Sequence, residues 1–437
     1  METLVGIYSL VLFLAAASLH RKHLVTPLTV FHLIWGASFL VYSLHGYLFP
    51  QVLFAPFTFD ILIYYVFAFT AFFLGGAMAH FVSYFNARSA PPSFRTHANT
   101  QMIFDRKRFN TLKILCAISL LMSVVALLRN PFSLEQYLTH GDLVRTALTA
   151  TYDPTAHIFS LLSSYLAFLA LPLCSLIIFS SSRRRLWAYL PIAALLIVSM
   201  MSLGKFDILI TCALVFNAWA TTREITLRSI SVLARPVFKI FALVVLLFAS
   251  TATLRGNIAS DVNFAKGQYP VTFLLFMYGV GDINNFSSYI ASYNPKTGAS
   301  STNNSSFAGP NQGKNALFAE KTFAGAYRVL YWLGLKKSVT YTLYVGTRRF
   351  NTYSILRPLI DDFGIYGSVV TLFVFGFMSN MIFLLLDRTK PRNLVLVTLI
   401  LCFVEFMPIN SLFNYIFVYL MFALSPVVGN LKIGRLA

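Results

Sequence analysis

Charged residues are scarce in this chain, and acids are scarcer than bases. Of 437 residues, 11% are charged and only 15 are Asp or Glu. About a quarter of the residues in a soluble globular domain are charged, so this composition excludes an ordinary soluble protein. Hydrophobic residues make up 57% of the chain, including 43 Phe and 22 Tyr. The sequence therefore predicts an all-α polytopic membrane protein, because helices satisfy their backbone hydrogen bonds within lipid.

Cysteine is also rare, and its positions exclude two kinds of site. The four cysteines all lie in apolar runs without the spacing of metal ligands: Cys116, Cys174, Cys212 and Cys402. Neither a disulfide framework nor a bound metal is predicted, and no motif indicates a cofactor. The 34 Lys and Arg residues give a net charge of +19. In a membrane protein such an excess mainly sets orientation, so a nucleic-acid partner is not expected.

Charge-poor runs long enough to cross a bilayer recur along the chain and predict eleven transmembrane helices. They cover residues 3–20, 28–49, 61–79, 114–128, 158–182, 186–204, 206–221, 237–254, 363–386, 393–409 and 411–431. The first run is interpreted as a retained span rather than a signal peptide. It lacks a preceding basic region and is followed by Arg21 and Lys22.

The connections between these spans divide the bases unequally. Alternate connections lie on the same side of the membrane and so form two sets. One set contains the basic clusters at 105–113 and 183–185, and its only acids are Asp105, Glu224 and Asp387. Basic loops remain in the cytoplasm, so the N-terminus is predicted to lie outside and the C-terminus inside.

Two outward connections are large, namely 129–157 and the main loop 255–362. The main loop has eleven bases and five acids, which is unusual on this side of a membrane and indicates an anionic partner. Its segments 269–281 and 322–335 are predicted as interfacial or re-entrant helices. The Ser- and Asn-rich stretch 294–314 is predicted to be an exposed, mobile tip.

Basic residues at the ends of spans are candidates for binding phosphate, because guanidinium groups pair with phosphate oxygens through two hydrogen bonds. Arg255, Lys205 and Arg357 have such positions. Each could instead extend toward lipid headgroups.

Several acids are candidates for binding sugar hydroxyls or accepting a proton. Asp361 and Asp362 precede a span, and Asp282 follows Gly281 in the main loop; a helix-capping role is the alternative for these acids. Glu405 is a candidate because it lies alone inside a predicted span. A further polar group in the first outer loop consists of His140, Asp142 and Arg145, with His157 beyond it.

Four short motifs resemble those of the bacterial O-antigen polymerases of the Wzy type, the oligosaccharide repeat-unit polymerases. They are Leu203-Gly204-Lys205-Phe206-Asp207, Arg255-Gly256, Gly281-Asp282, and the stretch from Asn351-Thr352-Tyr353 through Arg357 to Asp361-Asp362-Phe363-Gly364-Ile365-Tyr366-Gly367. The plan of spans and outer loop is similar over nearly the whole chain. There is one departure. Some members have an Arg followed eleven positions later by a Gly, whereas here Lys266 follows Arg255 and Ala156 follows Arg145 at that spacing.

The resemblance implies a glycosyltransferase that polymerises oligosaccharide units linked to undecaprenyl diphosphate for lipopolysaccharide biosynthesis. The reaction would occur at the periplasmic face of the inner membrane, with a chain-length regulator protein as a partner. The candidates for binding diphosphate and sugar are Arg255, Arg357, Lys205, Arg145, Arg348, Asp361 and Tyr353, and the catalytic candidates are Asp362, Asp282 and Arg255. Fixed arginines can stabilise a departing diphosphate without a metal.

Two other functions remain open, an O-antigen ligase and a non-enzymatic flippase of lipid-linked oligosaccharides. A flippase is expected to have intramembrane charges along its cavity and paired internal repeats, whereas these spans are almost free of charge. The ligase would need the same kind of basic outer loop, and the stretch 351–367 favours the polymerase over it.

Overall fold

The computed structural model describes the helical parts of the chain and some of their connections. The described residues are 1–20, 23–50, 54, 56–87, 110–130, 132, 136, 154–180, 185–202, 206–223, 225–226, 242, 246, 270–294, 299–300, 319–335, 354–386, 390–408, 412 and 415–428. The predicted span 237–254 and the predicted tip 294–314 therefore lie almost wholly outside the described part.

The described residues fold into α-helices with one small β-ladder. The helices are α1 (Glu2–Leu19), α2 (Pro27–Tyr42), α3 (His45–Leu48), α4 (Phe59–Ala87), α5 (Asn110–Leu128), α6 (Pro154–Ser180), α7 (Leu190–Ser202), α8 (Phe206–Thr221), α9 (Pro270–Ser292), α10 (Ala324–Trp332), α11 (Leu356–Leu385), α12 (Pro391–Phe406) and α13 (Ile416–Val428). A 3-10 turn, Leu186–Tyr189, precedes α7, and strands β1 (Tyr293–Asn294) and β2 (Ala299–Ser300) pair antiparallel.

Five helices in the described part are long and apolar enough to cross a membrane. They are Glu2–Leu19, Phe59–Phe85, Asn110–Leu128, His157–Phe179 and Leu356–Leu385. Four apolar helices are shorter, Pro27–Tyr42, Leu186–Met201, Phe206–Thr221 and Ile416–Val427. The prediction of a helical membrane protein is therefore confirmed in this coarser form.

Two helices extend beyond the boundaries predicted from hydropathy. The apolar segment 269–281 continues as helix α9 to Ser292, and the predicted span at 363 begins earlier, at Leu356. The added residues include buried polar side chains, such as Asn284 in α9 and Arg357 in α11. Burial within the protein, rather than in lipid, explains why apolar character alone placed both boundaries wrongly.

The chain divides into two compact units. The first comprises Met1–Pro92, Phe276–Leu386 and Phe403–Tyr419. Its central contact joins α4 to α11 through glycines. A Cβ atom on Gly75 would lie 2.1 Å from the Phe373 carbonyl oxygen, and one on Gly376 would lie 2.3 Å from the Phe72 carbonyl oxygen. The two backbones thus touch, as is typical of membrane helices that pack through small residues.

Aromatic rings fill the space between α2 and α4 in this first unit. The rings of Phe31 and Phe72 stack with their centres 3.8 Å apart, and Trp35 lies against Phe69 at 5.4 Å. At the start of α2, Thr26 and Thr29 lie before and after Pro27 in sequence and form a reciprocal capping box. The cap fixes where α2 begins and so which of its residues face α4.

The second unit comprises Ser93–Leu275, Asp387–Cys402 and Leu420–Ala437. Small polar side chains join its helices. The Ser163 hydroxyl of α6 donates to the Ser119 carbonyl oxygen of α5 over 2.8 Å, and the Ser425 hydroxyl of α13 donates to the Leu169 carbonyl oxygen. The thiols of Cys116 and Cys174 lie 3.5 Å apart and are not bonded as a disulfide.

Candidate functional site

The candidate site lies in the first unit, where the helical path of α11 is interrupted. Gly364 has φ 71° and ψ 178°, a conformation that is essentially restricted to glycine. The segment after it, 365–385, is about 31 Å long at 1.5 Å per residue, enough to cross a bilayer alone. The break therefore separates the charged head of α11, residues 356–363, from its apolar remainder.

Arg357 is buried in this head, with 3% of its surface exposed. Its guanidinium carbon lies 5.0 Å from the centre of the Tyr289 ring, within the range of a cation–π interaction. The start of the head is fixed by a hydrogen bond from the Ile355 N–H to the Met407 carbonyl oxygen. Because a guanidinium remains charged at any physiological pH, the structure holds a permanent buried cation here.

Asp361 is held from two sides. The Tyr289 hydroxyl donates to its Oδ1 over 2.6 Å, and the Lys321 ammonium lies 3.6 Å from its Oδ2. The side chain of Lys321 is 27% exposed and that of Asp361 is 9% exposed. Carboxylate oxygens accept hydrogen bonds, so Asp361 can also bind hydroxyl groups.

Asp362 has a different environment, because its oxygens face backbone N–H groups. The Thr322 N–H donates to Oδ2 over 2.5 Å and the Lys321 N–H donates to Oδ1 over 3.3 Å. The Thr322 hydroxyl also donates to the Pro358 carbonyl oxygen. Asp362 therefore joins the residues before α10 to the head of α11, rather than capping its own helix.

Asp282 lies inside α9 and is 4% exposed, so it does not cap that helix. Phe286 and Tyr289 follow at helical spacing on the same side of α9. The Phe286 ring packs against Tyr64 and Tyr65 of α4 at 5.3 and 5.2 Å. This packing fixes α9 against α4, and Tyr289 of α9 contacts the head of α11.

The structure therefore brings Arg357, Asp361 and Asp362 together and places Asp282 on the neighbouring helix. The other predicted site residues, Arg255, Lys205, Arg145, Tyr353 and Arg348, lie outside the described part, as do His140 and Asp142. Glu405 is half-buried in α12, and His157 is exposed near the start of α6. The roles predicted for all of these residues stay predictions.

Several site residues were missed by sequence reasoning. Tyr289 and Lys321 contact Asp361, Thr322 contacts Asp362, and Asn284 and Asn285 are buried beside Asp282. Of these residues, only Tyr289 could have been found from a sequence pattern. It lies seven residues after Asp282 and so shares a helical face with it. Nothing local marks Lys321, because its contact with Asp361 depends on how the chain folds.

The described contacts suit recognition of hydroxyl-rich molecules next to a fixed cation. Arg357 and Lys321 supply donors, and Asp361 supplies acceptors. The two bases balance the two acids of α11, and Asp282 of α9 adds a third acid. Among the described residues, no group of three or more His, Cys, Asp or Glu side chains could hold a metal ion.

Comparison with known proteins gives no relative from which a function can be transferred. No family profile, no curated protein and no solved structure matches the chain.

Proposed function

We propose that this protein polymerises oligosaccharide repeat units linked to undecaprenyl diphosphate into a surface polysaccharide such as O-antigen. The observation that best supports the proposal is the buried guanidinium of Arg357 one helical turn before Asp361, at the boundary of a membrane-spanning segment. A lipid-linked substrate presents its diphosphate at the membrane surface and its sugars just beyond. A fixed cation for the diphosphate, next to groups that bind sugar hydroxyls, matches this arrangement of the substrate.

The proposed setting is the inner membrane of a bacterium, with eleven spans, a periplasmic N-terminus and a cytoplasmic C-terminus. The distribution of Lys and Arg among the connections supports this orientation. In the proposed orientation, the head of α11 is on the periplasmic side. The bilayer and the lipid-linked oligosaccharide are then the direct partners, and a chain-length regulator protein is a further proposed partner.

In the proposed reaction, the growing chain is transferred from its lipid carrier to an acceptor hydroxyl of a new unit. The bond between the anomeric carbon and a diphosphate oxygen breaks, and a bond from that carbon to the acceptor oxygen forms. The acceptor proton passes to a carboxylate, for which Asp282 and Asp362 are the candidates, and undecaprenyl diphosphate leaves.

Arg357 contributes by stabilising the charge that develops on the departing diphosphate. As a preorganised cation it needs little rearrangement as the bond breaks. Additional positive charge is proposed to come from Arg255, Lys205, Arg145 and Arg348. The described site needs it because its two bases do not outnumber its acids. Tyr353 is proposed as a stacking surface for a sugar ring.

The proposal can be tested by deleting the gene in its host and separating the extracted lipopolysaccharide on a gel. Complementation would use the wild type, Arg357→Ala and Arg357→Lys, with Arg328→Gln as a matched control. Arg328 is an exposed arginine on α10, so its replacement removes one charge without opening a buried site. Protein levels in the membrane fraction must be equal.

We expect the deletion to reduce the ladder to core with a single repeat, with recovery by the wild type and by Arg328→Gln. Arg357→Ala should not restore the ladder, and Arg357→Lys should restore little, because lysine lacks the two-pronged geometry of arginine. Loss of even the single repeat on deletion would instead indicate a ligase or a flippase. A full ladder with Arg357→Ala would reject the assigned site.

A further inference from the structure

Tyr289 contacts both the cation and a carboxylate of the candidate site. Its hydroxyl donates to Asp361 Oδ1 over 2.6 Å, while its ring faces the guanidinium of Arg357 at 5.0 Å. A tyrosine has only two side-chain dihedral angles, so its hydroxyl and ring move as one rigid group. The two contacts therefore fix two charged groups of α11 to one point on α9.

The surroundings of Tyr289 limit its movement. The residue is 2% exposed, and Phe286, one turn earlier, is also 2% exposed. Phe286 is itself packed against two tyrosines of α4. By contrast, Lys321, the other partner of Asp361, is longer, more exposed and 3.6 Å away. Tyr289 is thus the better fixed of the two groups that orient Asp361.

We propose that Tyr289 is a positioning residue, which holds Asp361 and Arg357 in the relative arrangement that the substrate requires. This inference rests on the proposed function, in which Arg357 binds the diphosphate and Asp361 binds a sugar hydroxyl. The hydroxyl orients the carboxylate, and the ring limits the movement of the guanidinium. A misplacement of a positioned group by about 1 Å can slow a reaction by about 10²-fold.

Two replacements separate the two contacts. Tyr289→Phe removes the hydroxyl and keeps a ring against Arg357, whereas Tyr289→Leu removes both. The matched control is Tyr331→Phe, because Tyr331 is an exposed tyrosine on α10. Purified full-length variants in lipid nanodiscs would receive lipid-linked repeat units extracted from the deletion strain. The measured quantities are kcat, KM and the melting temperature. Asp361→Asn and the double variant Tyr289→Phe/Asp361→Asn complete a double-mutant cycle.

We expect Tyr289→Phe to lower kcat about tenfold, a typical effect of losing a hydrogen bond to a charged group. Its KM should change little, and its melting temperature should match that of Tyr331→Phe. In the Asp361→Asn background the same replacement should cause much less further loss, since the hydroxyl acts through that carboxylate. Tyr289→Leu should lose more activity than Tyr289→Phe.

The possible failures are distinguishable. If Arg357→Ala is inactive while Tyr289→Phe and Tyr289→Leu keep wild-type kcat, the positioning role is wrong and the proposed function survives. If Tyr289→Phe slows the reaction equally with and without the Asp361 carboxylate, the hydroxyl does not act through Asp361 and the inference is also wrong. If the Arg357 and Tyr289 variants all polymerise normally, the proposed site itself is wrong.

Discussion

The contact between α4 and α11 predicts a large effect from adding a single methyl group. Gly75 and Gly376 each face a main-chain carbonyl of the other helix, so neither has a flexible side chain opposite it that can move away. A Cβ on Gly75 would lie 2.1 Å from the Phe373 carbonyl oxygen, whereas carbon and oxygen atoms in contact normally lie about 3.3 Å apart. Gly75→Ala therefore requires the two helices to separate by about 1 Å.

That separation determines the size of the effect. A gap of about 1 Å removes up to half of the dispersion attraction of each contact along the interface. In membrane helices this attraction is a main source of association. We expect Gly75→Ala and Gly376→Ala each to lower the free energy of unfolding by about 3 kcal/mol, the upper part of the usual range for overpacking. The double variant should lose less than the sum, since the first methyl already separates the helices.

Two other glycines provide graded controls. A Cβ on Gly6 would meet the Leu40 side chain at 3.0 Å, and one on Gly46 would meet nothing within 4 Å. The melting temperature of purified protein in detergent, followed by the loss of the monodisperse chromatographic peak, should be lowest for Gly75→Ala and Gly376→Ala. It should be intermediate for Gly6→Ala and unchanged for Gly46→Ala. Equal melting of Gly75→Ala and Gly46→Ala would refute backbone contact between α4 and α11.

Two further predictions concern the head of α11. Gly364→Ala should cost about 1–3 kcal/mol of stability through backbone strain alone, since its Cβ would meet nothing within 4 Å, and a melting temperature equal to that of Gly46→Ala would contradict the break. Asp362→Asn should cost about 1.5–3 kcal/mol, because an amide offers one acceptor where the carboxylate offers two, and it should speed proteolysis near residues 319–323. Unchanged proteolysis there would argue against the role of Asp362 in joining that segment to α11.

The sequence indicated the candidate residues of α11 but not the residues that contact them. Arg357, Asp361 and Asp362 could be selected as candidates from sequence because they are close together and adjoin a long apolar run. Their partners were not found, because Tyr289 is 72 residues from Asp361 and Thr322 is 40 residues from Asp362. A helix-capping acid accepts hydrogen bonds from backbone N–H groups, and Asp362 does so. The N–H groups, however, belong to Lys321 and Thr322 rather than to the start of its own helix.

The sequence by itself determined the class of the protein and the placement of most of its apolar helices. Both depend on hydropathy over consecutive residues, and lipid requires every exposed backbone group to be satisfied within a helix. Only the tertiary structure decided that α9 continues through Asp282 to Ser292, that α11 breaks at Gly364, and that one tyrosine joins Arg357 to Asp361. Each of these features depends on burial against distant residues, which supplies the polar partners that local apolar character cannot reveal.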